Sequence, residues 1–256
     1  MQVRSALLDW IVHTSGVRHW SKAARRAPAM GLSDLRRERS RARKLLYSLH
    51  EMVAVADNRL ALPMIGSHAF PKPHGTDWAW RPSLWCLPLP SPGMSSAQSK
   101  SKLGDELILF HDCAHSELTL RQVRNHREAD LAPYGLRMDV FNFDGSFLSV
   151  VLDLPHGAVD GLKKNHLIRL NTIVEMEKPL EIFARLNIKH GPNTEQIVRE
   201  LPLHADDIVV EFDLAYSNLN EKRIERAWLD LIFENPQMSQ VTLRDVTLSR
   251  RMRAEF

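Results

Sequence analysis

The chain has 256 residues, of which 44% are hydrophobic and 25% are charged. This is the composition of an ordinary globular protein, long enough to bury a core without disulfides or metal ions. Its two cysteines, Cys86 and Cys113, cannot build a disulfide framework, which excludes the small disulfide-rich secreted class. No segment approaches the roughly 20 apolar residues of a membrane helix, and Asp9 interrupts the first apolar run. We therefore expect a cytoplasmic protein without a transmembrane segment or a signal peptide.

The net charge of +3 is unevenly distributed along the chain. Residues 1–62 contain 12 Lys and Arg against 5 Asp and Glu, whereas the remainder contains 22 against 26. Composition and periodicity change at about the same place. We predict three regions, which are a basic helical segment at 1–62, a Pro/Trp-rich connector at 63–104 and a β-sandwich domain at 105–256.

Two helices are predicted in the basic segment, over residues 5–28 and from Ser33 to about Asp57. The second helix has one apolar stripe, formed by Leu35, Ala42, Leu45, Leu46, Leu49, Met52 and Val53. Basic residues crowd its first three turns: Arg36, Arg37, Arg39, Arg41, Arg43 and Lys44. This patch could bind an acidic partner, the phosphates of nucleic acid or an anionic membrane surface, and a solvated helix face explains the same residues.

Prolines in the connector exclude a long helix there, and three tryptophans distinguish it from a disordered linker. Trp78, Trp80, Arg81 and Trp85 could form a stacking platform for a sugar or a peptide. Alternatively, the tryptophans anchor the connector on the domain that follows.

Beyond residue 105 the apolar residues recur at every second position. In 166–177, 181–189 and 207–214, apolar side chains recur at alternate positions, with mostly polar ones between them. Such strands bury one face only, which is typical of antiparallel sheets. About ten strands without a helical pattern predict a mainly β fold, namely a jelly-roll-like antiparallel β-sandwich that follows an N-terminal helical segment.

The turn residues support this fold. Asp144-Gly145 predicts a tight hairpin, and Gly191-Pro192-Asn193 predicts another turn. In the last strand the alternation shifts by one residue at Arg244-Asp245, which predicts a β-bulge.

Four runs make the chain similar to an uncharacterised family of alphaproteobacterial proteins. They are LTLRQVRN (118–125), YGLRMDVFNFDGSFLSVVLDLP (134–155), VEMEKPLEIFARLNIKHGPNTEQIVRELPL (174–203) and VTLRDVTLSRR (241–251). The resemblance covers about the last 150 residues and the helical start, and it implies a protein of unknown function without a catalytic motif. The strand pattern also resembles the galactose-binding-like jelly rolls of carbohydrate-binding modules.

The densest group of titratable residues is the run from His111 to His115. Two imidazoles and a carboxylate, from His111, Asp112 and His115, could hold a transition metal and support hydrolysis. A polar loop between two strands explains the same residues. Metal-site spacings such as His-Glu-x-x-His are absent from the sequence.

A polar sheet face is the second candidate site. Alternation places amides, guanidinium groups, a carboxylate and aromatic rings on the outward side of three strands: Arg169, Asn171, Phe183, Arg185, Asn187, Trp228 and Asp230. Such groups suit the hydroxyls and the apolar ring face of a sugar. A solvated surface, or one covered by the N-terminal helices, is the alternative.

Three functions follow from these sites. The first is a non-catalytic module that recognises a carbohydrate or a protein surface, with no cofactor. The second is a scaffold or regulator that docks an anionic partner through the basic helix. The third is a metal-dependent hydrolase. No nucleophile elbow, phosphate loop or dinucleotide fingerprint occurs in the sequence, which makes a binding protein a better expectation than an enzyme.

Overall fold

The chain divides into two compact units, residues 1–54 and 55–256. In the computed structural model, the described residues are 2–61, 70–127, 130–203 and 207–253. The first unit contains α1 (Gln2–Arg26) and most of α2 (Leu32–Ala61), as the apolar periodicity predicts. Among the described residues, neither these nor any other helix is long and apolar enough to cross a membrane.

The described residues of the second unit form the end of α2, thirteen strands and one short α-helix, α3 (Ser83–Cys86). The first seven strands are β1 (Thr76–Trp80), β2 (Gly93–Ser95), β3 (Lys102–Leu103), β4 (Leu107–His111), β5 (Leu118–Arg124), β6 (Tyr134–Val140) and β7 (Leu148–Asp153). The other six are β8 (His166–Met176), β9 (Ile182–His190), β10 (Asn193–Glu200), β11 (Asp207–Asp213), β12 (Ile224–Phe233) and β13 (Ser239–Met252).

These strands form two sheets, and every pairing in them is antiparallel. The first sheet has the order β11–β8–β13–β6–β5–β2, and β1 pairs with the later part of β13. The second sheet has the order β10–β9–β12–β7–β4–β3. This confirms the predicted antiparallel sandwich, and the many connections between sheets give it a jelly-roll-like topology.

The core lies between the two sheets and comes from every second residue of the strands. Ile182, Ala184, Leu186 and Ile188 of β9 are fully buried, and the residues between them face away from the core or lie at its edge. Each buried Leu, Ile or Val contributes roughly 1.5–3 kcal/mol relative to an exposed one. The alternation in the sequence therefore reports the burial correctly.

Two of the predicted irregularities are present. The pairing of β13 with β8 shifts register between Leu243 and Asp245, which confirms the bulge. Gly191 has a φ of +60° in the turn between β9 and β10, a conformation that other residues adopt at a cost.

One prediction about a connection is wrong. Asp144-Gly145 does not close a hairpin, because β6 belongs to the first sheet and β7 to the second, so that this loop crosses between sheets. A Cβ at Gly145 would lie 2.6 Å from Oδ1 of Asp112, so close approach of two loops accounts for this glycine. Within the predicted connector 63–104, β1, β2 and β3 are strands of the sheets, and residues 63–69 lie outside the described part of the chain.

A charged cluster fixes β1 at one end of the first sheet, and two of its members, Arg250 and His166, are buried whereas Asp77 is exposed. Arg250 donates to both carboxylate oxygens of Asp77, at 2.9–3.1 Å, and to the carbonyl oxygens of Ala158 and Asp160. His166 lies beside them, with Nε2 at 3.8 Å from the Asp77 carboxylate. Burial, reinforced by the Arg250 charge, lowers the pKa of His166 below its ordinary value.

This cluster predicts a loss of stability in mild acid. Because the pKa of His166 is lower in the folded state, the unfolded chain takes up a proton first as the pH falls below about 6.5. We expect the free energy of unfolding to fall between pH 7 and pH 5, with a contribution from His166 of up to about 1.4 kcal/mol per pH unit. Urea titrations should show a smaller fall for His166→Gln and an unchanged one for the exposed control His156→Gln. Equal slopes for His166→Gln and the unaltered protein would contradict this.

Candidate functional site

An open groove runs over the outer face of the second sheet. Its volume is about 610 Å³, and β4, β7, β9 and β12 supply most of its lining. We call it the outer groove, and its lining residues are Ile108, Phe110, Phe147, Ser149, Val151, Asp153, Arg185, Arg226, Trp228, Asp230 and Ile232. Aromatic, aliphatic and charged side chains of both signs therefore share one surface.

Strand register places these side chains in rows across the sheet. Trp228 of β12 is paired with Asn187 of β9 on one side and with Asp153 of β7 on the other. In the next row, Asp230 lies between Arg185 and Val151. Directly paired residues point to the same face, so the antiparallel register alone brings the groove side chains together.

A hydrogen-bonded polar cluster forms part of the groove floor. Arg185 donates through Nε to Oδ2 of Asp230 at 2.8 Å, and a second guanidinium nitrogen lies 2.6 Å from the same oxygen. Nδ2 of Asn187 also donates to this oxygen, at 3.1 Å, and Gln196 in turn donates to Asn187 at 2.9 Å. The cluster holds the Asp230 carboxylate in one orientation.

The other carboxylate oxygen of Asp230 has no hydrogen-bond partner. Asp230 is only 3% exposed, and its Oδ1 is among the few buried side-chain atoms in the described part of the chain that lack a partner. An unsatisfied buried acceptor costs free energy, so its presence in a groove calls for an explanation.

Trp228 supplies a flat aromatic surface to the outer groove. Its ring is partly exposed, and the Arg226 guanidinium carbon lies 4.6 Å from the ring centroid. This cation–π contact restrains the indole. Phe110 and Phe147 line the groove with it, the latter 44% exposed.

The structure separates the residues predicted for one polar sheet face. Arg185, Asn187, Phe183, Trp228 and Asp230 share the outer face of the second sheet, and Phe183 is paired with Ile232. The remaining two, Arg169 and Asn171, are on β8, which belongs to the first sheet. Their placement in the same site was wrong, because polar alternation reveals an outward face without revealing which sheet carries it.

Arg169 and Asn171 instead line a second cavity of about 500 Å³ on the first sheet. Arg169 donates to Oδ1 of Asn171 at 2.9 Å, and Lys72 and Asp207 lie in the same lining. The lining of this cavity therefore carries both positive and negative charges.

The predicted tryptophan platform does not exist. Trp85 is 0% exposed, and its indole N–H donates to the carbonyl of Leu243 at 2.9 Å. Trp78 and Trp80 are partly buried against the core. Arg81 is 5% exposed and forms a bidentate ion pair with Asp245. These four residues anchor the segment on the sandwich, which was the alternative interpretation.

The predicted metal site is contradicted as well. The Cys113 backbone N–H donates to Nδ1 of His111, and Nε2 lies 2.9 Å from the Ala97 carbonyl oxygen, so both ring nitrogens are engaged. Asp112 accepts three hydrogen bonds from Ser146 and Phe147, and the Ser146 hydroxyl contributes most to lowering its pKa. His115 is exposed and apart from this network. Within the described residues, no three His, Cys, Asp or Glu side chains are arranged to hold a metal ion.

The basic patch of α2 is exposed, as predicted. Two of its members form ion pairs on their own helix, Arg37 with Asp34 and Arg41 with Glu38. Arg36, Arg39, Arg43 and Lys44 are exposed too.

Sequence reasoning missed eight of the groove residues, and four of them carry aromatic or charged side chains, namely Phe110, Phe147, Asp153 and Arg226. The spacing of Arg226 and Trp228 was a usable signal, because residues two apart on a strand share a face. Phe110 and Asp153 come from strands whose pairing with β12 or β7 depends on contacts distant in sequence, so the pattern alone could not find them.

The whole chain, residues 1–256, matches the Family of unknown function (DUF6478). The chain belongs to this family. Membership agrees with the resemblance found in the sequence, whereas a bacterial source stays a prediction. No curated protein is detectably similar in sequence.

Several solved structures share a distant likeness with this member of the family. The enzymatically active domain of bacteriophage CBA120 tailspike protein 4 is 8% identical with a TM-score of 0.41, and the match covers 60% of this chain but 21% of that one. The family 11 carbohydrate-binding module of Clostridium thermocellum is 12% identical with a TM-score of 0.39, covering 64% and 99%. The xylan-binding domain of Paenibacillus barcinonensis Xyn10C is 10% identical with a TM-score of 0.35, covering 64% and 94%. With TM-scores below 0.5, none of these likenesses enters the argument for a ligand.

Proposed function

We propose that this protein is a non-catalytic binding module that holds a saccharide in the outer groove of its second sheet. The observation that carries the proposal is the fixed Asp230 carboxylate, with one oxygen engaged by Arg185 and Asn187 and the other without a partner. This oxygen is buried in the unliganded protein, so a shift of the side chains over it would let a hydroxyl of a bound sugar donate to it.

The remainder of the lining fits the same ligand. A sugar presents hydroxyls at its edges and an apolar C–H surface on its ring face. The Trp228 ring, held by Arg226, offers a rigid surface for the ring face. Arg185, Asp153 and Ser149 offer donors and acceptors at the edges. A volume of about 610 Å³ accommodates more than one sugar ring.

We also propose that the protein acts in the cytoplasm. No disulfide joins its two cysteines. Burial raises the pKa of the Cys86 thiol to about 12, which keeps it protonated and unreactive.

The proposal predicts the behaviour of the purified full-length protein on a glycan array. We expect binding to at least one class of oligosaccharide, confirmed by thermal shift and calorimetry. Trp228→Ala should weaken that binding about tenfold, since it removes the stacking surface. The matched control is Trp20→Ala, which removes a tryptophan of α1 outside the second unit.

Either of two results would overturn the proposal. One is a protein that neither binds an oligosaccharide on the array nor gains thermal stability from one. The other is Trp228→Ala protein that remains folded and binds with unchanged affinity.

A further inference from the structure

Helix α2 carries an apolar stripe that faces solvent. Leu45, Leu46, Leu49, Met52 and Val53 are 41–66% exposed. At 3.6 residues per turn these side chains fall on one face about 120° wide. None of the described side chains between residues 14 and 53 is buried. The helical unit therefore does not use this stripe to form a core of its own.

The basic patch lies directly N-terminal to the stripe on the same helix. Residues 33–44 contain six Lys and Arg against two Asp and Glu. Helical spacing places Arg39 at one edge of the apolar face and Arg41 at the other. Long arginine side chains at such edges can extend their charged ends away from an apolar layer. Helix α2 thus presents apolar side chains bordered by positive charge.

An apolar stripe bordered by positive charge favours one class of partner over the others. Nucleic acid would neutralise the arginines but leave the apolar stripe in water. A second copy of the helix would bury the stripe but bring a second set of like charges with it. An anionic lipid surface provides both a negatively charged headgroup layer and an apolar layer beneath it. Because no described helix is apolar enough to cross a membrane, the helix would lie in the plane of the surface.

We propose that α2 attaches this protein to an anionic membrane surface, with the apolar stripe in the acyl boundary and the basic patch at the headgroup phosphates. This interaction uses neither the outer groove nor any residue of the second sheet. It stands whether or not the groove binds a saccharide.

Co-sedimentation with lipid vesicles tests the proposal on the full-length protein. We expect binding to vesicles that contain phosphatidylglycerol and little binding to pure phosphatidylcholine. The triple variant Leu45→Ser, Leu49→Ser, Met52→Ser should lose binding at least about tenfold. The control Tyr47→Ser changes a residue that is 74% exposed on the opposite side of the helix, and it should bind like the unaltered protein.

Arginine variants test how much the positive charge of α2 contributes to membrane binding. Arg39→Ser and Arg41→Ser, at the two edges of the apolar face, should each weaken binding about fivefold, and Arg→Lys at the same positions should restore most of it. Far-UV circular dichroism verifies that each variant remains folded.

Three outcomes would overturn the proposal. The first is equal binding to neutral and anionic vesicles, and the second is full vesicle binding by the apolar triple variant while Tyr47→Ser loses it. The third is an unaltered protein that binds no vesicles but forms a dimer, which the apolar triple variant dissociates.

Discussion

Replacing Asp245 by alanine is expected to lower the free energy of unfolding by about 3–5 kcal/mol. Asp245 is 6% exposed and accepts two hydrogen bonds from Arg81, at 2.9 and 2.7 Å. Arg81 itself is 5% exposed, and its third guanidinium nitrogen is buried without a partner. Removing the carboxylate would leave a buried positive charge uncompensated, and urea titration would measure the loss.

The ion pair between Arg81 and Asp245 also predicts the stability of a double variant. Burial raises the pKa of Asp245, although the Arg81 charge acts against this, so keeping the carboxylate ionised requires its partner. Replacing both residues by apolar ones, Arg81→Met with Asp245→Leu, should recover most of the lost stability. Asp153→Ala, at an exposed strand position, should change stability by less than about 0.5 kcal/mol. A double variant as unstable as Asp245→Ala would contradict the explanation by uncompensated charge.

Trp85→Ala is also expected to lower the free energy of unfolding by about 3–5 kcal/mol. Trp85 lies in the short helix α3, where its ring is fully buried in the core and its indole N–H donates to the Leu243 carbonyl. The substitution would leave a cavity and remove a hydrogen bond to the Leu243 carbonyl at the bulge of β13. Trp85→Phe should cost less, because it retains most of the packing.

Trp228→Ala is the matched comparison for Trp85→Ala, since it makes the same change at a partly exposed ring. We expect its stability to fall by about 1 kcal/mol or less, with its effect confined to ligand binding. A loss of about 1 kcal/mol or less for Trp85→Ala as well, measured by chemical denaturation, would show that the core does not depend on Trp85.

The strands and the bulge were predictable from the sequence, because both depend on residues that are close together along the chain. Alternation in β8, β9 and β11 follows from burial of one face, and the shift at Arg244-Asp245 identified the bulge. The partners of each strand were not predictable in this way. Asp144-Gly145 has the composition of a hairpin turn, yet the flanking strands join different sheets because their pairing is decided by β13 and β12.

The pairing of strands also decided which site residues could be predicted from the sequence. Arg185, Asn187, Trp228 and Asp230 were found because alternation marks outward residues, and these four happen to lie on paired strands. Trp85 was misplaced since a tryptophan in a Pro-rich segment is compatible with either a binding surface or a core. Only the packing of α3 under β13 decides between them.

Chemical-shift mapping with an oligosaccharide that binds on the array would test the groove most directly. If the saccharide lies in the outer groove, the Trp228 indole signal and the side-chain signals of Arg185 and Asn187 should shift as ligand is added. Those of Arg169 and Asn171 on the opposite sheet should not move. Shifts confined to Arg169 and Asn171 would contradict the assignment of the outer groove as the binding site.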